Sequence, residues 1–301
     1  QIYDRWPSMA ESCYNKSLTK VDLKDIDHVV FAGMGGSGAI GDIFSSILSK
    51  TSIHVDIIKG YQLPKTVNSE SLVVTTSISG NTEETLSVLS EAIKLKSKII
   101  AFSNGGKMQK ICTENKINYR KIPMKHSPRA SFPIFLFSML HTLESILPIE
   151  KNEIHDSLNE LEKLGEKISS LNLSEENESL SLAKWISNVP LIYYPQGLKA
   201  TATRFKNSLQ ENSKTHVICE DVLETTHNGI VAWEKKSKIK PILLKGTNDH
   251  VKTKERWKIM KKYLKFKKID YREIESPKGG ILSKLVNLIY ILDYTSIYYA
   301  V

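Results

Sequence analysis

The stretch Thr75-Thr76-Ser77-Ile78-Ser79-Gly80-Asn81-Thr82-Glu83-Glu84-Thr85 constrains this chain more than any other. The β-forming run Leu72-Val73-Val74 leads into it, and Leu86, Val88, Leu89, Ala92 and Ile93 leave it at helical spacing. A strand that enters a helix through so short a turn is a building unit of parallel α/β sheets. Three hydroxyls, Ser77, Ser79 and Thr82, stand beside the N–H groups and positive dipole end of the helix. Helix capping accounts for one hydroxyl at such a place. Three on one turn point to an anion whose oxygens lose water on binding. The turn holds no Lys or Arg, which implies a small phosphate ester and not a polyphosphate.

The same alternation extends along the chain. Residues 1–20 read as a short polar helix. Strands follow at His28–Ala32, Ile53–Ile58 and Lys98–Phe102, with an edge strand near Ile117–Ile122 and an amphipathic helix over residues 130–147. Residues 151–180 change texture to a Leu-spaced helix and a polar linker around Asn172–Glu178. Beyond them the pattern restarts. Strands are expected at Leu191–Tyr194, His216–Cys219, Pro241–Leu244 and Ile269–Ile274, and helices at Lys199–Glu211 and from Gly280 onward. The expected organisation is a helical extension over 1–20, an α/β domain over 21–150, a connecting segment over 151–180 and a second α/β domain over 181–301. Ligands of such sheets bind at the carboxyl ends of the strands.

Charge narrows the function classes. The formal net charge is +9, and its densest cluster runs from Lys252 to Lys268. Trp257, Met260, Tyr263 and Leu264 recur there at helical spacing, so the stretch reads as an amphipathic helix with a solvated basic face. No nucleic-acid-binding motif accompanies it. The three cysteines, Cys13, Cys112 and Cys219, form neither a disulfide framework nor a metal spacing, which makes a cytoplasmic location the expectation. Lys284, Asn287 and Asp293 interrupt the apolar stretch Ile281–Val301, so a buried helix is expected and not a membrane span.

A glycine turn, Gly33-Met34-Gly35-Gly36-Ser37-Gly38, fits the dinucleotide fingerprint letter for letter, with Asp56 as a candidate ribose-binding acid. Glycines only let a backbone approach a ligand, and a sugar phosphate suits the same turn. The dinucleotide reading also leaves Ser77, Ser79 and Thr82 without a role. Elsewhere, Glu211 stands where a helix is expected to end, near the negative end of its dipole, a setting that suits a general base. His227 lies sixteen residues on, in a polar loop, and Arg129 is a candidate cation for a developing oxyanion.

Taken in order, Gly33–Gly38, Ser77–Thr85, Pro128-Arg129, Glu211-Asn212-Ser213-Lys214 and His227-Asn228 closely resemble the bifunctional phosphoglucose/phosphomannose isomerases. Those enzymes are built of two sugar isomerase (SIS) domains. The resemblance covers nearly the whole chain and implies two flavodoxin-like, three-layer α/β/α domains with parallel sheets. It implies that Gly36, Ser37, Ser77, Ser79 and Thr82 hold the sugar phosphate. Glu211 would shuttle a proton through a cis-enediol, Arg129 would stabilise the enediol charge, and His227 would assist ring opening from the partner subunit of a homodimer. It implies no metal or cofactor. A non-catalytic SIS sensor is the rival, although residues 1–27 are too short for the helix-turn-helix that such regulators carry. Family members also carry a further C-terminal segment with a ring-opening lysine. A start at Gln1 and a stop at Val301, inside an apolar helix, lead to the expectation that residues are missing at one or both ends.

Overall fold

Parallel strands buried on both faces read as unbroken apolar runs, and His28-Val29-Val30-Phe31-Ala32 is such a strand. In the computed structural model, which describes residues 2–16 and 19–301, the chain forms two compact units, Gln1–Lys151 and Asn152–Val301. Residues 1, 17 and 18 of the helix expected over 1–20 lie outside the described residues.

In the first unit the elements are α1 (Trp6–Asn15), β1 (His28–Ala32), α2 (Gly35–Leu48), β2 (His54–Ile58), β3 (Leu72–Ser77), α3 (Glu83–Lys94), β4 (Lys98–Ser103), α4 (Gly106–Glu114), β5 (Asn118–Lys121) and α5 (Phe132–Thr142). Among the described residues its five strands are all parallel, in the order β2-β1-β3-β4-β5. One face packs Val30, Val73 and Ala101 against Leu86 and Leu89 of α3 and Met108 and Cys112 of α4. On the other face Phe31 stacks on Phe44 of α2, and Thr76 meets Met139 of α5. α1 is not polar all round: Trp6, Ala10, Cys13 and Tyr14 are buried, and the Trp6 indole donates to the Ala130 carbonyl just ahead of α5.

The second unit contains α6 (Lys151–Ile168), α7 (Glu178–Trp185), β6 (Val189–Tyr194), α8 (Lys199–Asn212), β7 (Ile218–Asp221), α9 (Val222–Thr225), β8 (Ile239–Lys245), α10 (Val251–Phe266), β9 (Arg272–Glu275) and α11 (Ile281–Ala300). Its four parallel strands run β7-β6-β8-β9. The segment read as a polar linker contains a cap: the buried Asn177 side chain accepts from the Leu180 N–H and starts α7. β7 lies two residues later than its apolar run suggests, because pairing with Leu191–Tyr194 carries it on to Asp221, which caps α9. The basic helix buries Trp257, Met260 and Leu264 as its spacing implies. α11 is a core helix, and among the described residues no helix is long and apolar enough to cross a membrane.

Candidate active site

The order β2-β1-β3 sends α2 and α3 to opposite faces of the first sheet, so the turns leaving β1 and β3 part at their carboxyl ends. Gly33 sets how closely those turns approach, since a Cβ there would stand 2.9 Å from the Thr76 carbonyl oxygen. α2 starts at Gly35, earlier than the expected Ala39, which puts Gly36 and Ser37 in its first turn. Ser37 is buried and its N–H donates to the Met34 carbonyl.

Ser77, Ser79 and Thr82 come together. The Ser77 hydroxyl is 2.8 Å from that of Thr82 and 3.5 Å from that of Ser79. Thr82 occupies the N-cap position of α3, yet its side chain makes no capping bond there. Its hydroxyl turns to Ser77, so the capping account does not apply to it. Ser77 is buried and Ser79 exposed, which gives the cluster a solvent-facing side. The turn is stapled to the next one: Gly80 has φ +72°, and a Cβ on it would collide with the Gly105 carbonyl. The Gly80 carbonyl accepts from the Met108 N–H, and the Asn81 side-chain carbonyl from the Lys107 N–H. Lys107 also pairs with Glu83 at 2.8 Å. A turn without its own Lys or Arg therefore has a cation from the following crossover nearby, which the local sequence does not reveal.

Arg129 follows a segment tied to the same carboxyl edge. The Ile122 N–H donates to the Ser103 carbonyl, and the Met124 N–H to the Asn104 side chain. Ser103 is the register partner of Ser77. Arg129 itself is half-buried in the turn before α5.

The dinucleotide reading fails on position. Asp56 lies mid-strand in β2, and its carboxylate is engaged by His28 at 3.0 Å. The residue just past the end of β2, where a ribose-binding acid belongs, is Lys59, paired with Asp42 at 2.6 Å.

In the second unit Glu211 is exposed in the last turn of α8. A buried polar ladder holds that helix to α11. Arg204 donates to Asp293 from Nε at 3.1 Å and from a terminal nitrogen at 2.5 Å, Ser208 donates to the other carboxylate oxygen at 2.6 Å, and Asn212 donates to Ser296 at 2.8 Å. Burial pushes the Asp293 carboxyl up and nearby Glu211 adds to the rise, while Arg204 and Ser208 oppose it. The sequence treats Asp293 only as a break in an apolar run; its partner lies 89 residues away. His227 is exposed beyond α9, its N–H donating to the Glu224 carbonyl. Glu224 and Thr225, expected with Thr226 as part of that polar loop, end the short helix that precedes His227.

Comparison with known proteins agrees in both units. Residues 22–145 match the SIS domain family, and residues 175–301 match the bacterial phospho-glucose isomerase C-terminal SIS domain. A bifunctional phosphoglucose/phosphomannose isomerase of Caldicellulosiruptor bescii is 33% identical across 93% of this chain and 85% of its own length. One from Aquifex aeolicus is 30% identical across 93% of this chain and 86% of its own. A hypothetical protein from Thermus thermophilus shares the fold, with TM-score 0.76 at 13% identity over 99% of this chain and 83% of its own. The chain belongs to the bifunctional phosphoglucose/phosphomannose isomerase family.

Proposed function

We propose that this protein interconverts glucose 6-phosphate and mannose 6-phosphate with fructose 6-phosphate. The observation that carries this reading is the cluster of Ser77, Ser79 and Thr82 hydroxyls at the start of α3, where a phosphate dianion gains both hydrogen bonds and the helix dipole. Gly36 and Ser37 complete the phosphate cradle. Glu211 takes the proton from C2 of the open-chain aldose and returns it to C1, through a cis-enediol. Arg129 stabilises the negative charge that develops on the enediol oxygens. His227, supplied by the partner subunit of a homodimer, assists ring opening. The scheme uses proton transfers alone and calls on no metal or cofactor. It fits a cytoplasmic enzyme of glycolysis and gluconeogenesis acting as two SIS domains with a connecting segment.

The test is turnover of each aldose to fructose 6-phosphate by the purified protein in excess EDTA. Turnover of both supports the bifunctional isomerase. Sugar-phosphate binding with no turnover would instead identify a sensor.

A further inference from the structure

His28, His54 and Asp56 converge at the amino-terminal end of the first sheet, and none has a part in the reaction proposed above. β1 and β2 run parallel with His28 opposite His54, and Asp56, two residues on, shares the His54 face. His28 Nε2 lies 3.0 Å from Asp56 Oδ2, and His54 Nε2 lies 3.4 Å from the same oxygen. All three donor atoms fall within 4.8 Å of one another. Bonds of about 2.0–2.2 Å in a tetrahedral zinc site put neighbouring ligand atoms about 3.3 Å apart. Both separations from Asp56 are already within a few tenths of an ångström of that spacing.

A supporting residue orients the buried member of the trio. His28 Nδ1 lies 3.2 Å from the Ser71 hydroxyl, and Ser71 in turn contacts the Asn68 side chain at 3.4 Å. A hydrogen bond to one ring nitrogen is what turns the other toward a metal. The histidine side chains differ in access: His28 is 10% exposed and His54 65%. The trio therefore has one buried member, held by Ser71, and one that faces solvent.

We propose that His28, His54 and Asp56 bind a divalent transition-metal ion, Zn²⁺ before others, at a site separate from the sugar-phosphate turn. Two imidazoles and one carboxylate suit Zn²⁺ or Co²⁺, whereas Mg²⁺ and Ca²⁺ prefer all-oxygen sets. His28 is level with Ser71 in the β1–β3 register, so Ser77 lies six residues, or about 20 Å, further along β3. The ion's role at that distance is to pin edge strand β2 to β1.

Calorimetric titration of the metal-stripped protein with ZnCl₂, alongside the absorption spectrum with CoCl₂, tests this. The expected result is one equivalent bound, four-coordinate Co²⁺ bands, and a Tm that rises with Zn²⁺. His54→Gln, at an exposed position, should remove the Co²⁺ bands and the Tm rise while isomerase turnover stays unchanged. Ser71→Ala should weaken Zn²⁺ binding by about 10–100-fold. Absence of stoichiometric binding by the unaltered protein, or equal binding by His54→Gln, would overturn the proposal and leave the trio a hydrogen-bonded group only.

Discussion

Glu211 and His227 are sixteen positions apart in the chain, yet they lie beyond opposite ends of β7. α8 runs back from the carboxyl end of β6, so its last turn, with Glu211, precedes the start of β7. His227 comes after Asp221, the last residue of β7. A base and a ring-opening histidine that serve one sugar are hard to reconcile with that separation inside one unit. In the scheme proposed above, His227 comes from a partner copy, so the two residues need not reach one sugar from the same unit.

Subunit mixing reads this directly. Glu211→Gln and His227→Asn protomers, each inactive as homodimers, should form hybrids with one complete site. Random mixing of a twofold dimer should then restore about a quarter of wild-type turnover. Activity no higher than that of the separate variants would place both residues in the same protomer's site.

Ser79 is the exposed member of the hydroxyl cluster, so its removal tests binding with little effect on folding. A hydrogen bond to a charged group contributes about 1.5–3 kcal/mol, so Ser79→Ala should raise KM for glucose 6-phosphate about tenfold or more. kcat should stay close to wild type, the pattern of lost uniform binding. Steady-state kinetics check both parameters.

Gly80 has φ +72° and its α-carbon faces the Gly105 carbonyl. Gly80→Ala combines a left-handed backbone with a steric clash, and the expected loss is about 3 kcal/mol. Urea unfolding should show it as a lower midpoint, together with weaker sugar-phosphate binding. Gly60, which has open space around it, is the control: Gly60→Ala should change neither.

Asp293 is fully buried and Arg204 nearly so. Asp293→Asn leaves the guanidinium without its countercharge and should cost about 3–5 kcal/mol. The double variant Arg204→Met, Asp293→Leu should recover much of that loss. Because this pair holds the helix that carries Glu211, turnover of Asp293→Asn should fall at temperatures where the protein is still folded. Denaturant midpoints and kcat, measured together, separate the two effects.

The elements legible in the sequence are those whose chemistry is local. The β3–turn–α3 unit could be read because a buried parallel strand is an unbroken apolar run and its hydroxyls all sit on one turn. The glycine turn was legible as a close backbone approach, although only the Thr76 carbonyl shows what it approaches. Contacts that join distant segments were not legible. Lys107 reaches Glu83 from another crossover, Arg204 meets Asp293 across 89 residues, and His28 comes opposite His54 only through strand pairing. The shift of β7 has a similar cause, since its register is set by β6 and not by its own composition.

The central claim is that Glu211 moves a carbon-bound proton. Proton NMR of fructose 6-phosphate with the protein in D₂O follows that proton directly. The account predicts deuterium entering C2 of glucose and mannose 6-phosphates to the extent that the Glu211 carboxyl exchanges with D₂O before it returns the proton, and loss of interconversion by at least about 10²-fold in Glu211→Gln. Interconversion by Glu211→Gln at the wild-type rate would contradict it.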